Sequence, residues 1–501
     1  YVLGGCCNIA IGINAHYCLS GGNCNIAIGQ NAGSKQTSSD QNVSIGHLAG
    51  SQNCTGSGNV AIGRSAGYGI RGANNVSIGA TAGPADSCTD TYDNVFIGSR
   101  TGTAYTSGCN IIAIGINAGA SSCCAATGCN NIHIGQNTGC KVQSGDNNIT
   151  IGCRAGRNLT TGRCSIFIGL YAGGSISNTS SVLAIGNRAA QNASGGVLAI
   201  GCCAAGQFGG GIGNGIFIGR CAGRYANASD SPNIIIGGNS GRSLTLGLNV
   251  IIGSSGAYYA TSACRNIGLG GQVHQQLTTG DCNIALGTFA NAGNTTGCNN
   301  IAIGDRSGTM TTGASGHFNI SVGSDAGNAL TSGSCNIFLG RCVGNAVTSG
   351  INNVMMGLFA GTNTGIGSEN VFIGSCTGFH NTEGRCNVFI GKYAGKCNTV
   401  GSYNIAIGDR AGCCLRTGCT GVLIGLAAGM KLCSGNSNTF IGNQTGICAS
   451  TACENVVMGT VAGKALSSGV NNVALGKMSG CKLNNGSNNV LLGNCSGYCL
   501  T

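Results

Sequence analysis

The chain has 501 residues, of which 94 are glycine, 33 cysteine and 2 proline, and charged residues make up only 7% of it. Collagen would need glycine at every third position and abundant proline, a disordered polymer would contain far fewer apolar residues than the 42% found here, and no apolar run is long enough for a transmembrane helix. The 24 basic and 13 acidic residues give a net charge of +11 without forming a basic block, so we expect neither nucleic acid binding nor membrane insertion.

One motif, N-[IV]-x-[IL]-G, recurs 29 times along the whole chain. Its last residue, here called the motif glycine, falls at Gly12, Gly29 and Gly46 and continues at a dominant spacing of 17 residues to Gly493. A fixed short period predicts a solenoid, in which each coil packs against its neighbours. We therefore predict an all-β parallel β-solenoid (β-roll) of about 29 stacked coils, with residues 1–501 forming a single continuous array and no separate globular domain. At about 4.8 Å per coil, such an array would extend on the order of 140 Å.

Within each motif, two aliphatic residues flank a middle residue, which is the alternation of a β-strand. The residue before the motif glycine is aliphatic in all 29 copies, and the residue two earlier is aliphatic in 28, with Thr439 the exception. The sequence predicts that these flanking aliphatics form the core. Small residues after the strand predict corners, and a second, weaker extended segment is expected up to pairs such as Thr160-Thr161.

Asparagine opens 23 of the 29 motifs. A corner asparagine that stacks on its counterpart in the next coil predicts a hydrogen-bonded ladder, although asparagine also simply tolerates turns. Ser165, Val182, Val197 and Gly215 interrupt this column consecutively, where the spacing also becomes irregular. We therefore expect a distorted or loosely packed zone at residues 165–219.

The middle residue of the motif is apolar in 23 of the 29 copies, although it points away from the two aliphatics. Seven copies carry phenylalanine there: Phe96, Phe167, Phe217, Phe338, Phe372, Phe389 and Phe440. An exposed apolar stripe would be a strong association site, so these residues are predicted to form a lateral interface. The alternative is that they face a second layer of the same coil.

The 33 cysteines favour an oxidising compartment and hence an extracellular location or a cell or virion surface. Stacked corners lie within reach of a disulfide bond. Four candidate pairs are one coil apart, namely Cys7–Cys24, Cys109–Cys129, Cys203–Cys221 and Cys397–Cys414. Three others would close a turn, namely Cys18–Cys24, Cys414–Cys419 and Cys448–Cys453. A zinc site is the rival interpretation, but paired C-x₂-C motifs are missing, and we expect no metal and no cofactor.

Seven N-x-S/T sequons lie off the strand motif and would carry glycans in a eukaryotic secreted protein. They begin at Asn53, Asn158, Asn178, Asn192, Asn227, Asn294 and Asn443. The motif H-E-x-x-H does not occur, and the 13 carboxylates are widely scattered, so we do not expect an enzyme.

The stretches from Asn370 to Gly378 (NVFIGSCTG) and from Asn387 to Gly395 (NVFIGKYAG) are similar to a known class of repeat. The pattern resembles the head repeats of trimeric autotransporter adhesins of the YadA type, and the NVFIGxxAG-type repeats of phage tail fibres and large bacterial surface proteins. The resemblance implies a β-roll of parallel strands, left-handed in the adhesin heads, that assembles as a homotrimer outside a cell or virion. The adhesin repeat is shorter than 17 residues and those families are poor in cysteine.

These features together favour a non-catalytic extracellular structural protein that forms a stiff, disulfide-stapled filament or fibre shaft. Its main partner would be a second copy of itself, through end-to-end stacking or a lateral homo-oligomer such as a trimer. One alternative is the shaft of an adhesin or viral tail fibre whose binding tip lies elsewhere. Another is an ice-binding solenoid, but Arg71, Arg416 and Cys433 interrupt the threonine column that ice binding would need.

Overall fold

The structure is a computed structural model that describes residues 5–85, 89–120, 125–206, 214–226, 232–308 and 312–500. These residues contain 29 short strands, all paired in parallel, and none of them forms a helix that is long and apolar enough to cross a membrane. The predicted parallel β-solenoid is thereby confirmed. Contacts divide the chain into two compact units, Tyr1–Leu248 and Asn249–Thr501, and both are built from the same coil.

In the first unit, each strand pairs in parallel with the strand of the next coil. Its strands are β1 Ile9–Ile11, β2 Ile26–Ile28, β3 Val43–Ile45, β4 Val60–Ile62, β5 Val76–Ile78, β6 Val95–Ile97, β7 Ile112–Ile114, β8 Ile132–Ile134, β9 Ile149–Ile151, β10 Ile166–Ile168, β11 Leu183–Ile185, β12 Val197–Ile200, β13 Gly215–Ile218 and β14 Asn233–Ile236.

The second unit repeats this arrangement with a nearly constant period. Its strands are β15 Val250–Ile252, β16 Ile267–Leu269, β17 Ile284–Leu286, β18 Ile301–Ile303, β19 Ile320–Val322, β20 Ile337–Leu339, β21 Val354–Met356, β22 Val371–Ile373, β23 Val388–Ile390, β24 Ile405–Ile407, β25 Val422–Ile424, β26 Thr439–Ile441, β27 Val456–Met458, β28 Val473–Leu475 and β29 Val490–Leu492.

The middle residue of each strand, not the flanking aliphatic pair, points into the coil. In β2, for example, Ala27 is fully buried while Ile26 and Ile28 are only partly buried. Successive side chains of a strand point to opposite faces, so a strand that turns its middle residue inward turns both neighbours outward. The prediction that the flanking aliphatics form the core is therefore wrong.

Three columns of side chains fill the interior: the middle residue, the residue three after the motif glycine, and the residue seven after it. In the coil of β20 these are Phe338, Val343 and Val347, all fully buried. The position three after the glycine is most often alanine, as in Ala394 and Ala411, so this column adds mainly small side chains to the interior. The core is therefore narrow and is shared by small and large residues in alternation.

Two consecutive turns follow each strand. In the coil of β2, Ala32 N–H donates to Gly29 O (3.2 Å) and Gln36 N–H donates to Gly33 O (3.1 Å). Gly33 N–H also donates to Ala49 O of the next coil (2.9 Å), so the turns are joined from coil to coil. The predicted second extended segment is therefore wrong as a strand, since within the described residues only isolated bridges occur there.

The predicted asparagine ladder is confirmed. Asn370 is typical: its Nδ2 donates to Asn353 Oδ1 (3.1 Å) and to Gly384 O (2.8 Å), and its Oδ1 accepts from Asn387 N–H (3.0 Å). These asparagines are buried, so each side chain satisfies backbone groups that would otherwise lie unpaired in the interior. The ladder therefore fixes both the corner and the stacking of coils.

The interruption at 165–219 leaves the strand pairing intact. Paired residues are 15 apart in sequence between Leu183 and Leu198 and 18 apart between Leu198 and Ile216, instead of the usual 17. The strands β12, β13 and β14 each have four residues instead of three. Ser165 still accepts a hydrogen bond from Val182 N–H through its Oγ (3.2 Å), but the valines that follow carry no such group. A mainly aliphatic groove of about 580 Å³ lies beside these strands, while residues 207–213 of the zone lie outside the described residues.

Candidate functional site

The most extensive chemical feature of each unit is an aliphatic surface on the outside of the strand ladder. We call it the outer face; it consists of the residues three before and one before each motif glycine. At Met356, Ile373 and Ile405, 37% of the residue remains exposed. No outer-face position in the sequence is charged, and Thr439 is the only polar one. Since ordinary monomers expose apolar patches of a few hundred Å², an aliphatic face that continues over every coil of a unit is typical of an association surface.

The seven phenylalanines predicted to form a lateral interface lie in the interior. Phe96, Phe167, Phe217, Phe338, Phe372, Phe389 and Phe440 are at most 1% exposed. In the second unit, the rings of Phe372 and Phe389 stack with their centroids 5.2 Å apart and their planes 6° apart. The interface prediction is therefore wrong for these residues, and the alternative, a layer facing the inside of the same coil, is the correct one.

The cysteines lie at the corners, as the sequence predicts, and cysteines of neighbouring coils are joined there by backbone hydrogen bonds. Cys24 N–H donates to Cys6 O, and Cys397 N–H donates to Cys413 O, both at 2.9 Å. All 30 cysteines within the described residues are nevertheless free thiols. None of the candidate pairs, which involve Cys7, Cys18, Cys24, Cys109, Cys129, Cys203, Cys221, Cys397, Cys414, Cys419, Cys448 and Cys453, therefore forms a disulfide bond in this structure.

Cys109 and Cys129 are the candidate pair with an observed thiol–thiol contact. The Cys109 thiol donates to Cys129 Sγ over 2.7 Å, and Cys109 N–H also donates to that sulfur (3.3 Å). This thiol hydrogen bond, together with burial and the nearby Asp93 and Asp146, raises the pKa of Cys109 to about 11. Burial and the neighbouring thiols likewise raise the pKa of Cys413 to about 11. Raised values mean protonated thiols at neutral pH, which is the reverse of an activated nucleophile.

Two of the glycosylation candidates are unsuited to carry a glycan. Asn53 and Asn294 occupy the interior position seven after the motif glycine and are at most 2% exposed. Both use their amides inside the coil, since Asn294 Nδ2 donates to Gly297 O (2.9 Å) and its Oδ1 accepts from Gly297 N–H (2.8 Å). Among the other candidates, Asn178 and Asn443 are exposed, Asn158 and Asn192 are partly buried, and Asn227 lies outside the described residues.

Threonines often occupy the position eight residues after the motif glycine, and their hydroxyl groups donate hydrogen bonds to the next coil. Thr331 Oγ1 donates to Thr348 O (3.0 Å), and Thr382 Oγ1 donates to Thr399 O (3.2 Å). Because these donors are already used by carbonyl oxygens of the next coil, they are not free to order water. The geometry therefore does not favour the ice-binding alternative.

His133 and His274, both fully buried, act as packing groups. His133 replaces a middle residue and lies 3.3 Å from the Tyr105 hydroxyl and 2.7 Å from Thr150 Oγ1, while His274 pairs with the Ile267 carbonyl and the Asn291 side chain. Burial lowers the pKa of both to about 4. Among the described residues, no group of three or more His, Cys, Asp or Glu side chains is placed to hold a metal ion.

No protein-family model matches the chain, and no curated protein or solved structure is significantly similar to it.

Proposed function

We propose that this chain is a non-catalytic structural protein that associates with copies of itself into a filament or fibre shaft. The observation that carries the proposal is the outer face, a ladder of aliphatic side chains without a single charge, repeated from coil to coil. A second copy presents the same face with the same coil spacing, so side chains from two copies match along the whole contact. Burying apolar area contributes about 25 cal/mol per Å², and the gain adds up over every coil.

The coil itself supplies the stiffness that such a shaft requires. Within each unit, neighbouring coils are joined by parallel strand pairing and by turn hydrogen bonds, and also by the buried asparagine ladder wherever the asparagine column is continuous. The scarcity of charge favours assembly over a dispersed monomer, since net charge and charged surfaces are what keep large proteins apart in solution. The abundance of cysteine supports an extracellular location for the filament, with disulfide rungs between coils formed on oxidation.

Substitution of the outer face tests this function. The outer-face variant Met356→Thr/Ile373→Thr/Ile405→Thr is compared with the wild-type chain by analytical ultracentrifugation and electron microscopy. We expect the wild-type chain to form elongated assemblies and the variant to remain much smaller, because threonine keeps the strand but removes the apolar surface.

A matched control replaces apolar residues of comparable exposure at other corners of the same coils. Ile351, Ile366 and Val400 are 42–44% exposed and lie off the outer face. The variant Ile351→Thr/Ile366→Thr/Val400→Thr should assemble like the wild type. A wild-type chain that remains monomeric at all concentrations, or two variants that behave alike, would contradict the proposal.

A further inference from the structure

One groove in the first unit is positively charged, and this charge has no role in the proposed filament. Arg100, Lys141, Arg154 and Arg157 line it, none of its described lining residues carries a carboxylate, and its volume is about 390 Å³. The ion pairs within the described residues all belong to other arginines. In a chain with so few charges, four cations around one groove form a concentrated and unneutralised positive site.

The coil stacking arranges the groove in two rows. Arg100, Asn117, Asn137 and Arg154 occupy the same position, two after the motif glycine, on successive coils, and all have left-handed backbone with φ between +54° and +59°. Arg100 and Arg154 therefore stand at the two ends of one row, three coils or about 14 Å apart. The second row, five or six residues after the glycine, contributes Lys141 and Arg157.

Several of these groups are held in place before any ligand arrives. The Arg154 guanidinium lies over the ring of Tyr171, 5.1 Å from its centroid. Asn117 Nδ2 donates to Asn137 Oδ1 (3.0 Å). This hydrogen bond fixes the two amide groups that lie between Arg100 and Arg154. A cation oriented by an aromatic ring loses less freedom on binding than a freely moving one.

We propose that this groove binds a small ligand that carries phosphate or sulfate groups. Guanidinium groups match the oxygen geometry of both oxyanions by paired hydrogen bonds, and lysine adds a point charge. The volume lies within the range of small-molecule sites. A nucleic acid does not fit this picture, because the cations are confined to one groove and form no track along the chain.

Isothermal titration of the whole chain at low ionic strength tests this site with three probes: inorganic pyrophosphate, a disulfated heparin disaccharide and a short DNA duplex. We expect pyrophosphate or the disaccharide to bind, with affinity falling as salt is added, and the preferred one identifies phosphate or sulfate as the natural group. The double variant Arg154→Gln/Arg157→Gln should lose at least about tenfold in affinity while retaining the wild-type circular dichroism spectrum.

Arg306→Gln provides the matched control. Arg306 also lies two residues after a motif glycine, but it already pairs with Asp325 at 3.0 Å, so its removal should leave affinity unchanged. Absence of binding by both small probes, equal loss in the groove and control variants, or tighter binding of the DNA duplex than of either small probe would each overturn the proposal.

Discussion

The ring of Phe372 occupies the space that a side chain on Gly378 would need. A Cβ placed on Gly378 would lie 2.7 Å from Phe372 Cδ2, and Gly378 has φ +56°. The same pairing occurs in all seven coils with a middle phenylalanine, since the residue four after the motif glycine is glycine in each of them. Where that residue is instead His274, the middle residue of the coil is Gly268. The two positions share one space inside the coil, and only one of them holds a large side chain.

Substitution Gly378→Ala should therefore destabilise the protein by about 2–4 kcal/mol, because the methyl group both crowds the ring and meets an unfavourable left-handed backbone. Urea unfolding of the whole chain, followed by circular dichroism, measures the effect. Gly365→Ala is the control, since its nearest neighbour would be 3.5 Å away and its φ is not positive. Equal effects at the two glycines would contradict the shared-space interpretation.

The repeat period was sufficient to locate every strand, because N-I-x-I-G contains both the alternating pattern of a β-strand and the glycine of the corner at which the strand ends. It did not reveal which face of the strand is inside. Both faces are apolar, so hydrophobicity alone does not distinguish Phe372 from Val371 and Ile373. The deciding signal was the glycine four residues after the motif glycine, together with the apolar column seven residues after it, as at Leu330. The glycine leaves room for the side chain of the middle residue, and the apolar column lies on the same inner side of the coil.

Removal of one asparagine from the ladder should have a large effect. In Asn370→Ala, the buried Asn387 N–H loses its acceptor, while the Gly384 carbonyl loses one donor and keeps Asn381 Nδ2 as the other. An unsatisfied buried backbone group costs about 1–3 kcal/mol, so a loss of about 1–3 kcal/mol is expected in urea unfolding.

Two further variants separate the ladder from a general effect of substitution. Asn370→Ser should be milder, because Ser165 shows that a hydroxyl at this position still accepts from the next coil. Asn443→Ala, at an exposed position, should change stability by no more than about 0.5 kcal/mol. A loss at Asn370 no larger than at Asn443 would show that the ladder contributes little.

The buried histidines predict that stability falls in mild acid. Burial lowers the pKa of His133 and His274 to about 4, so below the ordinary value of 6.5 the unfolded chain takes up protons that the folded chain does not. Stability should be complete above pH 6.5 and should decrease as the pH falls towards 4, by about 3 kcal/mol for each histidine. Denaturant unfolding between pH 4 and 7 measures this slope. His133→Gln should reduce the slope, and an unchanged slope would mean that other groups cause the acid sensitivity.

The cysteine corners show how far sequence could predict the candidate sites. Stacking placed Cys109 beside Cys129 correctly, because equivalent residues of neighbouring coils lie about 4.8 Å apart. Stacking alone did not decide whether a bond forms, since bond formation also depends on side-chain rotamers and on an oxidant. The sequence did not predict the basic groove, for a different reason. Arg154 and Arg157 are 54 and 57 residues from Arg100 in sequence, and only the stacking of the coils brings them together.

The thiol hydrogen bond between Cys109 and Cys129 should control the reactivity of Cys109. Its pKa of about 11 leaves the thiol protonated at pH 8, and the hydrogen bond to Cys129 is the largest cause of that shift. In Cys129→Ala, the pKa should fall, and iodoacetamide should alkylate Cys109 about tenfold faster at pH 8, because the thiolate is the reacting form. Peptide mass spectrometry of the reduced protein over time measures the rate. Cys453→Ala removes a cysteine at the same coil position in the other unit and should leave the Cys109 rate unchanged. If Cys109 reacts no faster without Cys129, then burial and the nearby carboxylates, rather than the thiol pair, set its pKa.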